Sequence, residues 1–200
     1  MELHLISSGR QTKQELVSSL IKVQSYADYI HLREKDFNFA DYLEVIEKLT
    51  AANIPLGKII INGRVDVASY IQTGGIQLGA QSLSISEVAQ SYPNMYIGSS
   101  VHSTSEALEK EEAGADFLIY GHVFSTASKP NVSPRGISAL QTTVQSVSIP
   151  VIAIGGIKPT NIKQVKKSGA QGIAVLSGIL LAEDVQAAAL AYHSALKEVI

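Results

Sequence analysis

The residues best suited to chemistry fall in one stretch, DFLIYGHVFSTASKPNVSPRG, residues 116–136. His122 follows an apolar run and a glycine, and Lys129 closes a small-residue turn that holds Thr126, Ala127 and Ser128. Imidazole, with an unperturbed pKa of about 6.5, can take and give a proton near neutrality. An ammonium group beside hydroxyls and backbone N–H groups suits an anion. The Pro-containing connection that follows is longer than the others traced along the chain. Long loops in compact domains are usually functional or disordered, and a histidine and a lysine at the root favour function over an ordinary solvated loop. The other histidines read as less chemical. His4 falls in the first strand, His193 in the last helix, and His31 suits packing or hydrogen bonding, while His102 suits capping or orienting a loop. No two histidines share a ligand spacing, so no metal site is expected.

The elements that must position these groups alternate regularly. Apolar runs at 3–6, 29–33, 58–61, 75–78, 95–99, 117–120, 151–154 and 173–176 read as strands. Helical patterns separate them. Thr12 with Glu15, Ser84 with Glu87 and Ser103 with Glu106 read as capping boxes, and Asn38 as a further N-cap. Gly121 is expected to break the sixth strand, with a helix over about 137–147 after the long loop. Eight strands alternating with eight helices within 200 residues predict a single-domain (β/α)8 barrel over residues 1–200. A doubly wound open sheet is the alternative, but the first turn, SSGRQ, lacks the G-x-G-x-x-G pattern of dinucleotide binders.

Composition excludes several classes. Net charge is −2, 17% of residues are charged, and no basic block stands out, so nucleic acid is not an expected partner. The absence of cysteine removes disulfides, thiolate metal sites and a cysteine nucleophile. No apolar run is long enough to span a bilayer, and the N-terminus does not read as a signal peptide. The expectation is a cytoplasmic protein with no membrane association. Its oligomeric state is left open, a homo-oligomer included.

A barrel places its active site where strands end. Listing those ends gathers Ser7, Arg33, Lys35, Asn62, Ser100, His122, Thr126, Lys129, Gly156, Ser177 and Gly178. Gly155-Gly156 and Ser177-Gly178 follow strands seven and eight, where barrels commonly hold phosphate on backbone N–H groups and a short helix. A bulky residue at Gly156 is expected to block a phosphate while leaving the fold intact. The plainer alternative is that these glycines only make tight turns.

The segments HLREK (31–35), IIING (59–63), GIQLG (75–79), SSVHS (99–103), YGHVFSTASK (120–129), PVIAIGGI (150–157) and GIAVLSG (172–178) carry a resemblance to the thiamin phosphate synthase superfamily along nearly the whole chain. The resemblance implies a (β/α)8 barrel that binds phosphorylated thiazoles. Synthases of this kind join a thiazole phosphate to a pyrimidine diphosphate with magnesium held by two aspartates. Here Gly63 and Ser82 stand at those positions, and His122 stands where a proline is usual. Magnesium prefers carboxylate oxygens.

Those departures resemble the thiazole tautomerase branch, which implies an isomerase without metal or other cofactor. Its ligand would be a phosphorylated carboxythiazole, with His122 moving protons as general acid–base. Gly156, Ser177 and Gly178 would hold the phosphate, and Thr126, Ala127, Ser128 and Lys35 the carboxylate. Arg33, Ser100, Lys129 and Asn62 would line the site. The alternatives are a non-catalytic regulatory relative of the synthase and a residual thiamin phosphate synthase.

Overall fold

A computed structural model describes residues 1–79 and 82–198. Eight parallel strands close into one barrel: β1 (Glu2–Ile6), β2 (Tyr29–Leu32), β3 (Ile59–Asn62), β4 (Gly75–Leu78), β5 (Ile97–Val101), β6 (Phe117–Gly121), β7 (Val151–Ile154) and β8 (Gly172–Val175). Each pairs with its neighbours in sequence, and β1 closes on β8 through Glu2–Leu5 against Gly172–Val175. The nine α-helices among the described residues are α1 (Lys13–Val23), α2 (Phe39–Ala51), α3 (Val65–Ile71), α4 (Ile85–Ser91), α5 (Thr104–Glu112), α6 (Gly136–Ser146), α7 (Ile162–Lys167), α8 (Ser177–Leu180) and α9 (Val185–Lys197). The ninth is α8, a single turn between β8 and the last long helix. This is the (β/α)8 barrel that the alternation predicts.

The strands read as apolar runs because both their faces are covered. Leu5, Ile30, Ile61, Leu118 and Ile173 face outward onto the helices in the larger apolar cluster. Ile6, Ile60, Phe117, Ile119, Ile152 and Ala174 fill the inside. Full capping boxes start α1 at Thr12, α2 at Asn38 and α4 at Ser84, each cap stabilising its helix by about 1 kcal/mol. At α5 the expected box is only half made. Ser103 accepts from the Glu106 N–H, but the Glu106 carboxylate reaches the His102 N–H at 2.8 Å instead.

Strand limits shift by one residue in β1, β2, β3 and β8, and the differences at β5 and β6 have a structural cause. β5 lies two residues later, because Met95 turns back to the Tyr92 carbonyl and pairing starts at Ile97. Its Gly98-Ser99-Ser100 segment hides the apolar signal. Gly121 does not break β6. It pairs with Ile154, and a side chain there would sit 2.4 Å from the Ile154 carbonyl oxygen, so the glycine permits a close approach.

Candidate active site

The C-terminal ends of the strands form the mouth of the barrel, and its β6–β7 side is stitched together by backbone. Val123 N–H donates to the Ile154 carbonyl and Phe124 N–H to the Gly155 carbonyl, extending the β6–β7 pairing past the strand. His122 and Val123 accept, through their carbonyls, from the N–H groups of Arg135 and Gly136 at 2.9 and 3.0 Å. These bonds close the long loop at its base. The peptide joining Gly121 to His122 is cis.

The His122 side chain is buried, 4% exposed. Its Nε2–H donates to the Val132 carbonyl at 3.1 Å and ties the far limb of the loop to the root. His102 Nδ1 lies 2.7 Å from the Gly121 carbonyl and supports the same strand end. The turn at the loop tip is closed by Lys129 N–H on the Thr126 carbonyl, 3.1 Å. Thr126 is half-buried, and Ala127, Ser128 and Lys129 are exposed.

The glycines at strands seven and eight are explained first by packing. Gly155 and Gly156 have φ of +99° and +65°, a region that favours glycine. A Cβ on Gly155 would lie 2.2 Å from His122 Cβ. One on Gly156 would lie 2.4 Å from the Ser125 carbonyl oxygen and 2.7 Å from that of Phe124. A bulky residue at Gly156 therefore meets the β6 loop before any ligand, which corrects the expectation of an intact fold. Asn161 Nδ2 donates to the Gly156 carbonyl at 3.0 Å and orients this turn. Ser177, exposed, opens α8. At Gly178 a Cβ would lie 2.4 Å from the Tyr192 hydroxyl, which reaches past it to the Ile157 carbonyl at 2.8 Å.

The β2–β5 side is different. Arg33 is half-buried, and its N–H donates to buried Ser7 Oγ at 2.8 Å, which fixes the end of β2. Lys35 is exposed. Among the described residues, the side chains of Arg33, Lys35 and Lys129 form no ion pair. Glu34, between Arg33 and Lys35 just past β2, is buried and accepts from the Gly9 N–H at 3.3 Å. Gln77 donates through Nε2 to Ser100 Oγ at 3.0 Å. Three buried polar atoms on this side have no partner among the described residues: His31 Nδ1, Asn62 Oδ1 and Gln77 Oε1.

Reading by types and spacing missed Gln77 and took His4 and His31 as ordinary packing. The signal was there: a polar residue centred in each of LHL, IHL and IQL sits at the inward position of a strand otherwise apolar. Burial first, then the neighbouring His4, hold His31 well below the usual histidine range, with the Asn62 side chain acting the other way.

Magnesium, which the resemblance implies for a synthase, does not fit the donors present. A Cβ on Gly63 would first meet Ser82 Oγ, at 3.8 Å, so positions 63 and 82 face each other, and neither carries a carboxylate. Ser82 Oγ accepts from the Gly79 N–H at 3.0 Å. The nearby Asp66 is paired with Arg64. Among the described residues, no group of three or more histidine, cysteine, aspartate or glutamate side chains is placed to hold a metal.

Against this geometry, comparison with known proteins is decisive about family. The family model described as "Thiamine monophosphate synthase" matches residues 3–179. The chain belongs to that family. A thiamine-phosphate synthase of Pyrococcus abyssi is 38% identical over 203 residues, covering 100% of this chain and 97% of that protein. One from Chloroflexus aurantiacus is 35% identical over 189 residues, covering 92% and 85%. Among solved structures, the thiamine phosphate pyrophosphorylase of Pyrococcus furiosus superposes with a TM-score of 0.84 at 33% identity, covering 100% of this chain and 96% of that one. Membership of this family fits a role in thiamine biosynthesis and a small-molecule partner. These relatives also overturn the isomerase class expected from the sequence. They are named as synthases, which points to a transferase. No helix among the described residues is long and apolar enough to cross a membrane.

Proposed function

We propose that this chain is a transferase of the thiamine-phosphate synthase kind, which brings a thiazole phosphate against a pyrimidine diphosphate at the barrel mouth. The observation that supports it best is the full-length likeness to synthases together with three cationic side chains, Arg33, Lys35 and Lys129, around that mouth. In such a transfer the thiazole nitrogen bonds to the pyrimidine methylene carbon as the carbon–oxygen bond to diphosphate breaks. Negative charge grows on the departing diphosphate, and cations already in place stabilise it without reorganising. Arg33 suits a bidentate contact to phosphate oxygens, and the lysines act as point charges. The thiazole's own phosphate sits, in this reading, on N–H groups at Gly156, Ser177 and Gly178, with Thr126, Ala127, Ser128 and Ser100 lining the space between. His122 holds the loop over the reacting atoms through Val132.

The test is purified protein with both substrates and excess magnesium, followed by chromatography for thiamine phosphate. Product formed in proportion to enzyme is expected, at a rate lowered by the missing carboxylates. No product above the uncatalysed background would overturn the reading. A second reading is favoured by one specific observation, Gly63 facing Ser82. It is a non-catalytic member that binds a phosphorylated thiazole for regulation. Calorimetry beside the product assay separates the two, because a regulator binds the thiazole phosphate and yields no product.

A further inference from the structure

The turn after β7, residues 155–157, has all its carbonyls tied down. Gly155 accepts from the Phe124 N–H at 3.0 Å, Gly156 from Asn161 Nδ2 at 3.0 Å and Ile157 from the Tyr192 hydroxyl at 2.8 Å. The Lys158 N–H is taken as well, by Asn161 Oδ1 at 2.8 Å. The N–H groups of Gly156 and Ile157, by contrast, donate to no protein group among the described residues. A turn with bonded carbonyls and two successive N–H groups left over is suited to an anion.

Two of the carbonyl ties are local, made by the β6 loop and by the turn's own Asn161. The third comes from α9, 35 residues further along the chain. The Tyr192 ring is buried, 4% exposed, and a buried phenol needs a partner for its O–H. Burial also pushes that phenol above its ordinary range, so it keeps its proton and donates. The same hydroxyl is the nearest atom to the place a Cβ on Gly178 would take, at 2.4 Å. Gly156 has a left-handed φ and Gly178 does not. What the missing side chain at 178 makes room for is the Tyr192 hydroxyl. One oxygen from the outer helix therefore lies where the β7 turn meets α8.

We propose that Tyr192 is a positioning residue for phosphate: its hydroxyl, seated against Gly178 and bonded to the Ile157 carbonyl, holds the β7 turn and α8 in fixed relation, so that the Gly156 and Ile157 N–H groups stay available to a ligand phosphate. The proposal rests on the transferase reading, in which the thiazole's phosphate sits at these turns. Tyr192 itself touches no ligand and acts through the Ile157 backbone.

Tyr192→Phe removes one oxygen and keeps the ring. Calorimetry on the folded full chain with thiazole phosphate as the probe should show binding about ten-fold weaker, the worth of one hydrogen bond. The pyrimidine diphosphate, assigned to Arg33 and the lysines, should bind within about two-fold of the unaltered chain, as expected for a separate site. Proton–nitrogen correlation spectra of the 15N-labelled chain give a second readout. Thiazole phosphate should move the Gly156 and Ile157 amide signals downfield in the unaltered chain, and move them less at saturation in Tyr192→Phe. A merely structural role would weaken both ligands alike and leave the saturated amide shifts as in the parent. Either that result or an unchanged affinity for thiazole phosphate in folded Tyr192→Phe overturns this proposal alone. If the unaltered chain does not bind thiazole phosphate, or binds it with both amide signals unmoved, the placement of the phosphate at these turns falls and the proposal with it.

Discussion

The two sides of the barrel mouth solve different problems. On the β6–β7 side nearly every feature is held by the protein itself. His122 is bonded to Val132, the loop base is closed at Arg135 and Gly136, and Gly155 and Gly156 are filled by their neighbours. On the β2–β5 side Arg33 and Lys35 have no ion-pair partner among the described residues, and three buried polar atoms are unsatisfied. A buried polar atom left without any partner costs roughly 1–3 kcal/mol, so polar groups placed here are suited to pairing with a ligand or water. The difference teaches where each kind of mutation should be felt: on the first side in folding, on the second in binding.

The largest expected effect breaks the first side. Gly156→Val puts a branched side chain at φ +65° against the Ser125 and Phe124 carbonyls. Overpacking and the left-handed backbone together should destabilise by about 3 kcal/mol, read as a lower urea midpoint. A midpoint unchanged from the parent would return Gly156 to a purely ligand-facing role. Next comes His122→Ala, which removes the bond to Val132 and leaves a cavity. A loss of about 2 kcal/mol is expected, with faster proteolytic nicking between residues 125 and 134. A nicking rate equal to the parent's would show that the loop is held some other way.

The second side should respond oppositely. Arg33→Ala should leave stability within about 0.5 kcal/mol and weaken binding of inorganic diphosphate roughly ten-fold or more, the loss expected for a charge-assisted hydrogen bond. Titration calorimetry beside a urea melt separates the two readouts. If Arg33→Ala loses stability and keeps affinity, the comparison is inverted.

The smallest effect is a slope in pH. An unfolded histidine takes up its proton near pH 6.5, whereas His31 in the barrel resists until well below that. The unfolded chain therefore binds this proton first. Its contribution is complete above about pH 6.5 and falls as the pH drops from there, by at most about 1.4 kcal/mol per pH unit. His31→Gln should flatten that part of the stability profile between pH 6.5 and 5. Glu2, depressed as a carboxylate, adds its own loss only at lower pH, below the ordinary glutamate range.

Much of this was legible in the residues, and the failures have physical causes. Strand order followed from apolar runs, since strands covered on both faces show unbroken hydrophobicity. The start of β5 did not, because Gly98, Ser99 and Ser100 carry no apolar side chain; at Gly98 a Cβ would strike the Phe117 ring and the Gln77 amide. The strand-end list found Arg33, Lys35, Ser100 and Gly156 at the mouth. It did not separate glycines needed by neighbouring backbone from glycines facing a ligand, because a sequence shows that a side chain is missing but not what occupies its place. The polar residues inside the strands were visible as LHL, IHL and IQL, yet their meeting inside the barrel depends on register, which pairs His31 with Ile60 and Asn62 with Gln77.

The closure of β1 on β8 has a consequence for the chain as it is made. Glu2–Leu5 can find their partners only when Gly172–Val175 exist. Until then β1 is an open edge, a row of unpaired N–H and C=O groups of the sort that recruits other chains. Each later strand offers a second such edge as it appears. A nascent chain stopped before β8 therefore has two sticky borders, and the last strand removes both at once. Contacts between residues this far apart are slow to form. The hazard of misassembly thus lies with incomplete chains emerging from the ribosome, while the finished barrel presents no strand border to a neighbour.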